Sequence, residues 1–406
     1  MNTKPRVLVL GGGFAGTQAT KALLKEAPDA EITLVDPNSY ATMLPALPDV
    51  LSGRVPREAI TKELSEIFPD RVRLVRDRIT DIDFNARALT GESDTYTYDY
   101  LVLTTGSRPA FFGFSPESGT VHTLHSYEAA KALRSELAAK ATSGSGTTLI
   151  VVGAGYTGLE VAACTDYGFA QLRGGISILV VEKADTILTF LSEKARKKVR
   201  AYLKSIDVEL RTGVSLARLT ERQAELSDGT TIEHPVVCWS AGMQAANDHI
   251  EGQFERTADK RLKTDEYLRL PAHPDVFVAG DAAALTDGKS VLRRAINFAY
   301  YSGRRAGSNC ARVMKDRSPR PFRPLDLGWV IPLGTMSIGR VFGILPVGGK
   351  LGLRLHYFMS GFRHFGVAQA WEFLKTAAFL RRAPDRPDRT EYNRGSEPDE
   401  RTDRNE

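Results

Sequence analysis

One signature occurs twice in this chain and limits what it can fold into. Arg6-Val-Leu-Val-Leu-Gly-Gly-Gly-Phe-Ala-Gly16 leads an apolar run into glycines at 11, 13 and 16. Leu149-Ile-Val-Val-Gly-Ala-Gly-Tyr-Thr-Gly158 does the same with glycines at 153, 155 and 158, an offset of 142 positions. Each reads as a buried strand, a tight turn and the start of a helix. Gly11 and Gly153 permit the turn, Gly13 and Gly155 admit a pyrophosphate, and Gly16 and Gly158 let helix pack on strand. Phe14 and Ala15, and in the second copy Tyr156 and Thr157, fill the first helical turn, whose unpaired N–H groups attract phosphate. One such pattern is weak; two predict an α/β chain with two Rossmann-like dinucleotide-binding domains.

Each copy is followed by an acid placed for a ribose. Glu31-Ile-Thr-Leu-Val-Asp36 and Ile176-Ser-Ile-Leu-Val-Val-Glu182 read as second strands closing on a carboxylate. That is about 20 residues past the glycines, where ribose hydroxyls are accepted. Met once, such an acid is ordinary solvated decoration; here it is met twice at matching offsets. Glu182 would repel a 2′-phosphate, which favours NAD(H) over NADP(H), and Lys183 softens that preference without reversing it.

At 406 residues and 42% hydrophobic content, the chain can build two or three cored domains. Its opening residues enter a core strand at once, which does not fit a signal peptide. No run approaches the roughly 18 apolar residues of a membrane-spanning helix. Cys164, Cys238 and Cys310 form no CxxC and the seven histidines are scattered, so neither a disulfide framework nor a metal site is expected. The formal charge of +5 hides an asymmetry: residues 383–406 carry eight acids against five arginines, leaving +8 on the rest. That tail lacks apolar spacing and is expected to be disordered. The basic residues form no nucleic-acid module.

Tyr98-Asp-Tyr-Leu-Val-Leu-Thr-Thr-Gly-Ser-Arg-Pro109 predicts a buried strand ending in a turn. Helices are predicted near 126–141 and 192–204, and another from about Val291. His273-Pro-Asp-Val-Phe-Val-Ala-Gly-Asp-Ala-Ala283 predicts a strand closing on Gly280-Asp281. This order predicts that the second nucleotide unit is inserted into the first. The expected division is 1–112 with 250–322, then 113–249, a C-terminal α+β or amphipathic helical segment at 323–382, and the tail 383–406.

These pieces resemble the FAD/NAD(P) flavoproteins with two dinucleotide-binding domains, and in particular the type II NADH:quinone oxidoreductases, the single-subunit, non-proton-pumping NADH dehydrogenases. The first fingerprint, Thr104-Thr-Gly-Ser-Arg-Pro109 and Phe277-Val-Ala-Gly-Asp281 match in order and spacing, as do Thr157-Gly-Leu-Glu-Val-Ala162 and Trp239-Ser-Ala-Gly242. The resemblance implies that FAD is held by Gly11, Gly13, Phe14, Ala15, Gly16, Asp36, Thr105, Gly106, Arg108, Gly280 and Asp281, with Asp281 on the ribityl chain. It implies that NAD(H) is held by Gly153, Gly155, Tyr156, Thr157, Gly158, Glu182, Ala241 and Gly242. Glu160 has two readings: an acid in a first helical turn favoured by the dipole, and, by resemblance, the glutamate beside the nicotinamide–flavin junction. An Ala-Gln pair that the family places on a helix facing the quinone is Ile296-Asn297 here, which leaves Asn297 as the amide toward the acceptor. Ser39-Tyr-Ala-Thr-Met-Leu-Pro-Ala-Leu-Pro48 holds no cysteine, so electrons are expected to leave the flavin without a thiol relay. Phe298, Tyr300 and Tyr301 are candidates to line the acceptor slot.

Leu351, Leu355, Phe358, Phe362 and Phe365 form a helical stripe that Trp371, Leu374 and Ala378 continue, with Lys350, Arg354, Arg363, Lys375, Arg381 and Arg382 around it. Such a face suits an anionic bilayer surface; core packing or a dimer seam are its other readings. Gly361 and Gly366 favour two broken helices over one rod. The expected enzyme passes hydride from NADH to flavin and two electrons to a quinone, as a peripheral protein on the cytoplasmic face of the inner membrane, and a homodimer is allowed. A soluble reductase of a ferredoxin- or rubredoxin-like protein, and a non-catalytic FAD/NADH redox sensor, are the alternatives.

Overall fold

A computed structural model describes residues 4–68, 70–117, 120–143, 146–170, 175–250 and 254–365. The apolar runs become central strands buried on both faces, which is why they read as nearly continuous Val, Ile and Leu. The first sheet runs in the order Arg269–Leu270, His273–Val278, Tyr100–Leu103, Arg6–Leu10, Glu31–Asp36, Arg73–Arg76, parallel except at the Arg269–Leu270 edge. The second runs Val121–Thr123, Val236–Trp239, Thr147–Val152, Ile176–Glu182, Val208–Thr212, parallel throughout. In both sheets the fingerprint strand lies between the acid-bearing strand and a strand arriving from further along the chain. The two turns therefore open at the carboxyl ends of their strands, where α/β sheets bind ligands.

The chain leaves the first unit along Ser107–Pro109 and returns along Met243–Ala245, and these segments pair antiparallel. This crossing makes the second unit an insertion in the first. The fingerprint helices Phe14–Glu26 and Tyr156–Phe169 begin at Gly13 and Gly155 with no side-chain cap. The helices Tyr127–Thr142 and Glu193–Ser205 are instead capped by the Ser126 and Ser192 hydroxyls, as N-terminal serines prefer. Uncapped N–H groups thus occur where a phosphate is expected.

The helix expected from Val291 begins at Ile296. Thr286 and Val291 bridge across a turn that Asp287 fastens through the Lys289 and Ser290 N–H groups, and this consumes the intervening residues. The helix Ile296–Val313 then packs on Phe14–Glu26 through Gly303 and Gly307, which lie against the Ala15 and Ala19 backbone. Phe298 is buried in the core of the first unit, which removes it from any acceptor slot.

After residue 327 come three antiparallel strands, Gly328–Leu333, Met336–Val341 and Leu345–Gly348, and the helix Gly349–Phe365. Ile331 and Leu333 join the core of the second unit. Leu353 and Tyr357 join a smaller core with Met43, Leu47, Val50 and Ala130. The buried face of the last helix is therefore Leu353, Tyr357 and Ser360, while Leu351 from the predicted stripe is 69% exposed. The helix continues through Gly361 to Phe365 rather than breaking there. Trp371, Leu374, Ala378 and the acidic tail lie outside the described residues. No described helix is long and apolar enough to cross a membrane.

Candidate active site at two dinucleotide cradles

The two cradles share the same turn geometry. Gly11 and Gly153 stand at φ +104° and +100°, conformations that a side chain rarely adopts. A Cβ at Gly16 or Gly158 would strike the carbonyl oxygen of Gly11 or Gly153. The Thr104 hydroxyl lies 2.8 and 2.9 Å from the Leu10 and Gly11 carbonyls. Ser240 does the same to Val152 and Gly153 at 3.0 and 3.1 Å. Each turn is thus pinned from the neighbouring strand. At Gly13 and Gly155 a Cβ would meet nothing within 4 Å, so both backbones face open space at a helix start.

Both acids stand where expected. Asp36 accepts from the Gly12 N–H (2.7 Å) and the Asn38 N–H (2.7 Å). Burial nevertheless pushes its carboxyl upward, because those bonds offset only part of the lost hydration. Glu182 accepts from the Ala154 N–H (2.8 Å) and the Ala184 N–H (2.9 Å).

The remaining first-unit motifs meet around Asn247, a fully buried residue. Its Oδ1 accepts from the Thr105 hydroxyl at 2.8 Å, and its amide donates to the Lys260 and Ala282 carbonyls. Ser107 donates to Asp281 at 2.8 Å, and the Ser302 hydroxyl accepts from the Gly280 N–H at 2.9 Å. Burial raises the Asp281 carboxyl against Ser107 and the Arg294 charge. Arg294 pairs with Asp259 at 2.9 Å and reaches toward Asp281, while its Nε and Nη2 are buried with no hydrogen-bond partner among the described residues. Such donors are costly unless a bound oxygen meets them.

The Ala241-Gly242 turn closes the second cradle. Its Ala241 backbone packs against Gly153, and the Phe112 ring lies on Gly242. Tyr156 stacks on Phe190 at 5.3 Å, with Trp329 edge-on to both. Glu160 is buried one turn into the helix and has no hydrogen-bond partner among the described residues. Burial, then nearby Asp49, raises its carboxyl well above the ordinary range.

Two predicted residues are placed less centrally. Arg108 is 47% exposed and pairs with Asp248 at 2.6 Å. Asn297 is buried in the first turn of its helix, and its amide donates to the Leu325 carbonyl at 2.8 Å. All three cysteines are free and buried, and burial raises each thiol. Sequence reasoning missed Asn247, Ser107, Ser302, Ser240 and Arg294. Ser107 and Ser240 stood inside the Thr104–Pro109 and Trp239–Gly242 motifs as visible hydroxyls; nothing local marks Asn247. Among the described residues no cluster of His, Cys, Asp and Glu could hold a metal.

Residues 5–306 match the pyridine nucleotide-disulphide oxidoreductase family, and the chain belongs to that family. The type II NADH:quinone oxidoreductase of Staphylococcus haemolyticus is 25% identical over 84% of this chain and 90% of its own length. NDH2 from Plasmodium falciparum, solved with NADH, superposes with a TM-score of 0.81 at 13% identity, covering 93% of this chain and 98% of its own. The water-forming NADH oxidase of Lactobacillus brevis, also with NADH, gives 0.72 at 21% identity over 83% and 75%. The residues present fit FAD in the first cradle and NAD(H) in the second: open backbone at Gly13 and Gly155, an acid for each ribose, and unfilled donors on Arg294.

Proposed function

We propose that this chain is an FAD-dependent NADH:quinone oxidoreductase. One observation carries the reading: two uncapped, acid-equipped cradles occur in one chain, and no cysteine pair lies between them. Bound FAD supplies a ring that accepts hydride from NADH and passes two electrons onward. The chain's own part is to bind, orient and hold protons. The helix starts at Gly13 and Gly155 take the pyrophosphates, Asp36 and Glu182 take ribose hydroxyls, and Asp281 with Ser107 takes the ribityl chain. Thr105, Gly106 and Arg108 belong to the FAD side, and Tyr156, Thr157 and the Ala241-Gly242 turn to the NAD(H) side. The uncapped start of Ile296–Val313 offers N–H groups to developing negative charge. Glu160 holds its proton at the nicotinamide side. Asn297 keeps a second amide hydrogen for an acceptor carbonyl.

We assign the FAD unit to 1–112 and 250–322 and the NAD(H) unit to 113–249, limits lying near the paired crossing strands. Segment 323–382 is assigned to peripheral contact with the cytoplasmic face of a membrane, where the quinone resides. Phe342, Ile344 and Leu345 at the last hairpin are 60%, 75% and 58% exposed, and Leu351 on the following helix is exposed too. No acid occurs from Leu327 to Trp371, while Arg340, Lys350, Arg354 and Arg363 do. Exposed apolar groups in a stretch of chain whose charges are all positive match an anionic interface.

The full chain is expected to float with anionic vesicles, and F342S/I344S to lose most of that binding while keeping its flavin. Flotation unchanged in the variant refutes this contact. Reduced protein reoxidised by a ferredoxin-type carrier but by no quinone refutes the acceptor assignment.

A further inference from the structure

The short helix Leu47–Ser52 and the second fingerprint helix meet almost backbone to backbone: a Cβ at Gly168 would lie 2.8 Å from the Ser52 Cα. Across this contact the fingerprint helix presents Glu160, Cys164 and Tyr167, spaced by four and three and so on one face. Asp49 lies opposite, buried. From the C-terminal helix the Tyr357 hydroxyl reaches it, 2.7 and 2.8 Å from the two carboxylate oxygens. Arg54 stacks 3.9 Å over the Tyr167 ring and donates to the Gly334 carbonyl, but its Nε and Nη2 have no partner among the described residues. Arg134 bonds the Leu51 carbonyl at the helix end, and the Tyr202 phenol lies near enough to Asp166 and Cys164 to feel both.

Three segments distant in sequence thus converge on two buried acids and one nearby buried cation. Only one negative charge can be balanced there without further cost. Asp49 has the hydrogen-bond donor; Glu160 has none among the described residues. We propose that Tyr357 and Asp49 are positioning residues for Glu160: the clamped Asp49 takes the single negative charge opposite Arg54, which leaves the proton on Glu160. Burial raises both acids, but Arg54 and the Tyr357 bond pull Asp49 back, whereas nothing pulls Glu160 back. The inference rests on Glu160 being the acid beside the nicotinamide. It makes the C-terminal helix, through Tyr357, part of the site's proton balance.

The test is infrared spectroscopy of the full chain with FAD bound, following the protonated-carboxyl band through a pH titration. A band present at neutral pH should vanish in E160Q. In D49N, Glu160 no longer feels the negative charge of Asp49 and should lose its proton at lower pH. D49N should lower the midpoint by about one pH unit, and the pH profile of flavin reduction should move with it. In Y357F, Asp49 loses its donor and takes the proton from Glu160, so part of the protonated-carboxyl band should shift in frequency and survive in the Y357F/E160Q double variant. Y357F removes a single oxygen and carries the test should D49N fail to fold. A band that E160Q does not affect defeats the Glu160 reading itself. A band that E160Q removes but Y357F does not move leaves that reading standing and overturns the clamp.

Discussion

Glu182 is tethered by two backbone N–H groups, so its carboxylate is fixed before any ribose arrives. Replacing it by alanine should raise KM for NADH roughly tenfold or more, since hydrogen bonds to charged groups contribute about 1.5–3 kcal/mol. It should also narrow the preference over NADPH, because the repelling charge is gone; steady-state kinetics with both coenzymes would show this. His356 makes a second residue-scale prediction. Burial lowers it to about 4, against the bond to the Val330 backbone, and its Nε2 has no partner among the described residues. A histidine kept neutral in the fold, but ordinary near 6.5 when unfolded, contributes its full stability above about 6.5. That contribution is lost as pH falls from about 6.5 to about 4, on the order of 1 kcal/mol per pH unit. Urea unfolding midpoints should decline across that window in the wild type and decline less in H356Q. At this scale the glycines, Asp36, Glu182 and Asp281 were legible because spacing alone fixes their geometry. Asn247 and Tyr357 were not, since each acts on partners far away in sequence, Asp49 lying 308 residues from Tyr357.

Among elements, the two serine-capped helices belong to the scaffold, and the two fingerprint helices, which start bare, open onto the candidate dinucleotide cradles. The sequence marked both kinds: Ser126 and Ser192 fell within a residue of the helix starts, and the glycine turns fixed the other two. The start at Ile296 was misread because the Thr286–Val291 bridge is a tertiary choice that helix propensity does not record. The three strands after residue 327 follow no clean alternation, with glycines at 328, 334, 339, 343, 348 and 349, and they escaped prediction as strands. Gly158→Ala tests the bare start. Its methyl would strike the Gly153 carbonyl and lie 2.6 Å from the Ser240 hydroxyl. Overpacking of this kind costs about 1–3 kcal/mol. The variant should retain flavin absorbance, melt at lower temperature and lose NADH affinity, read by thermal denaturation and coenzyme titration. Loss of flavin with NADH binding intact would reverse the assignment of the two cradles.

For the whole molecule, the duplicated strand order and the paired crossing strands account for how one chain brings two dinucleotides to one place. That architecture was readable because both copies obey the same spacing rule. The orientation of the C-terminal segment was not, because a helical stripe does not say which of its faces meets the core. Leu353 and Tyr357 turn inward and Leu351 outward. The central claim is that NADH reduces a bound flavin directly and a quinone takes the electrons away. Anaerobic titration of the purified, FAD-loaded chain tests it in one cuvette. One equivalent of NADH should bleach the flavin band, and a short-chain quinone should restore it, with the same course in a variant lacking Cys164, Cys238 and Cys310. A band that NADH leaves unchanged, or protein that stays colourless when FAD is supplied, would contradict the account.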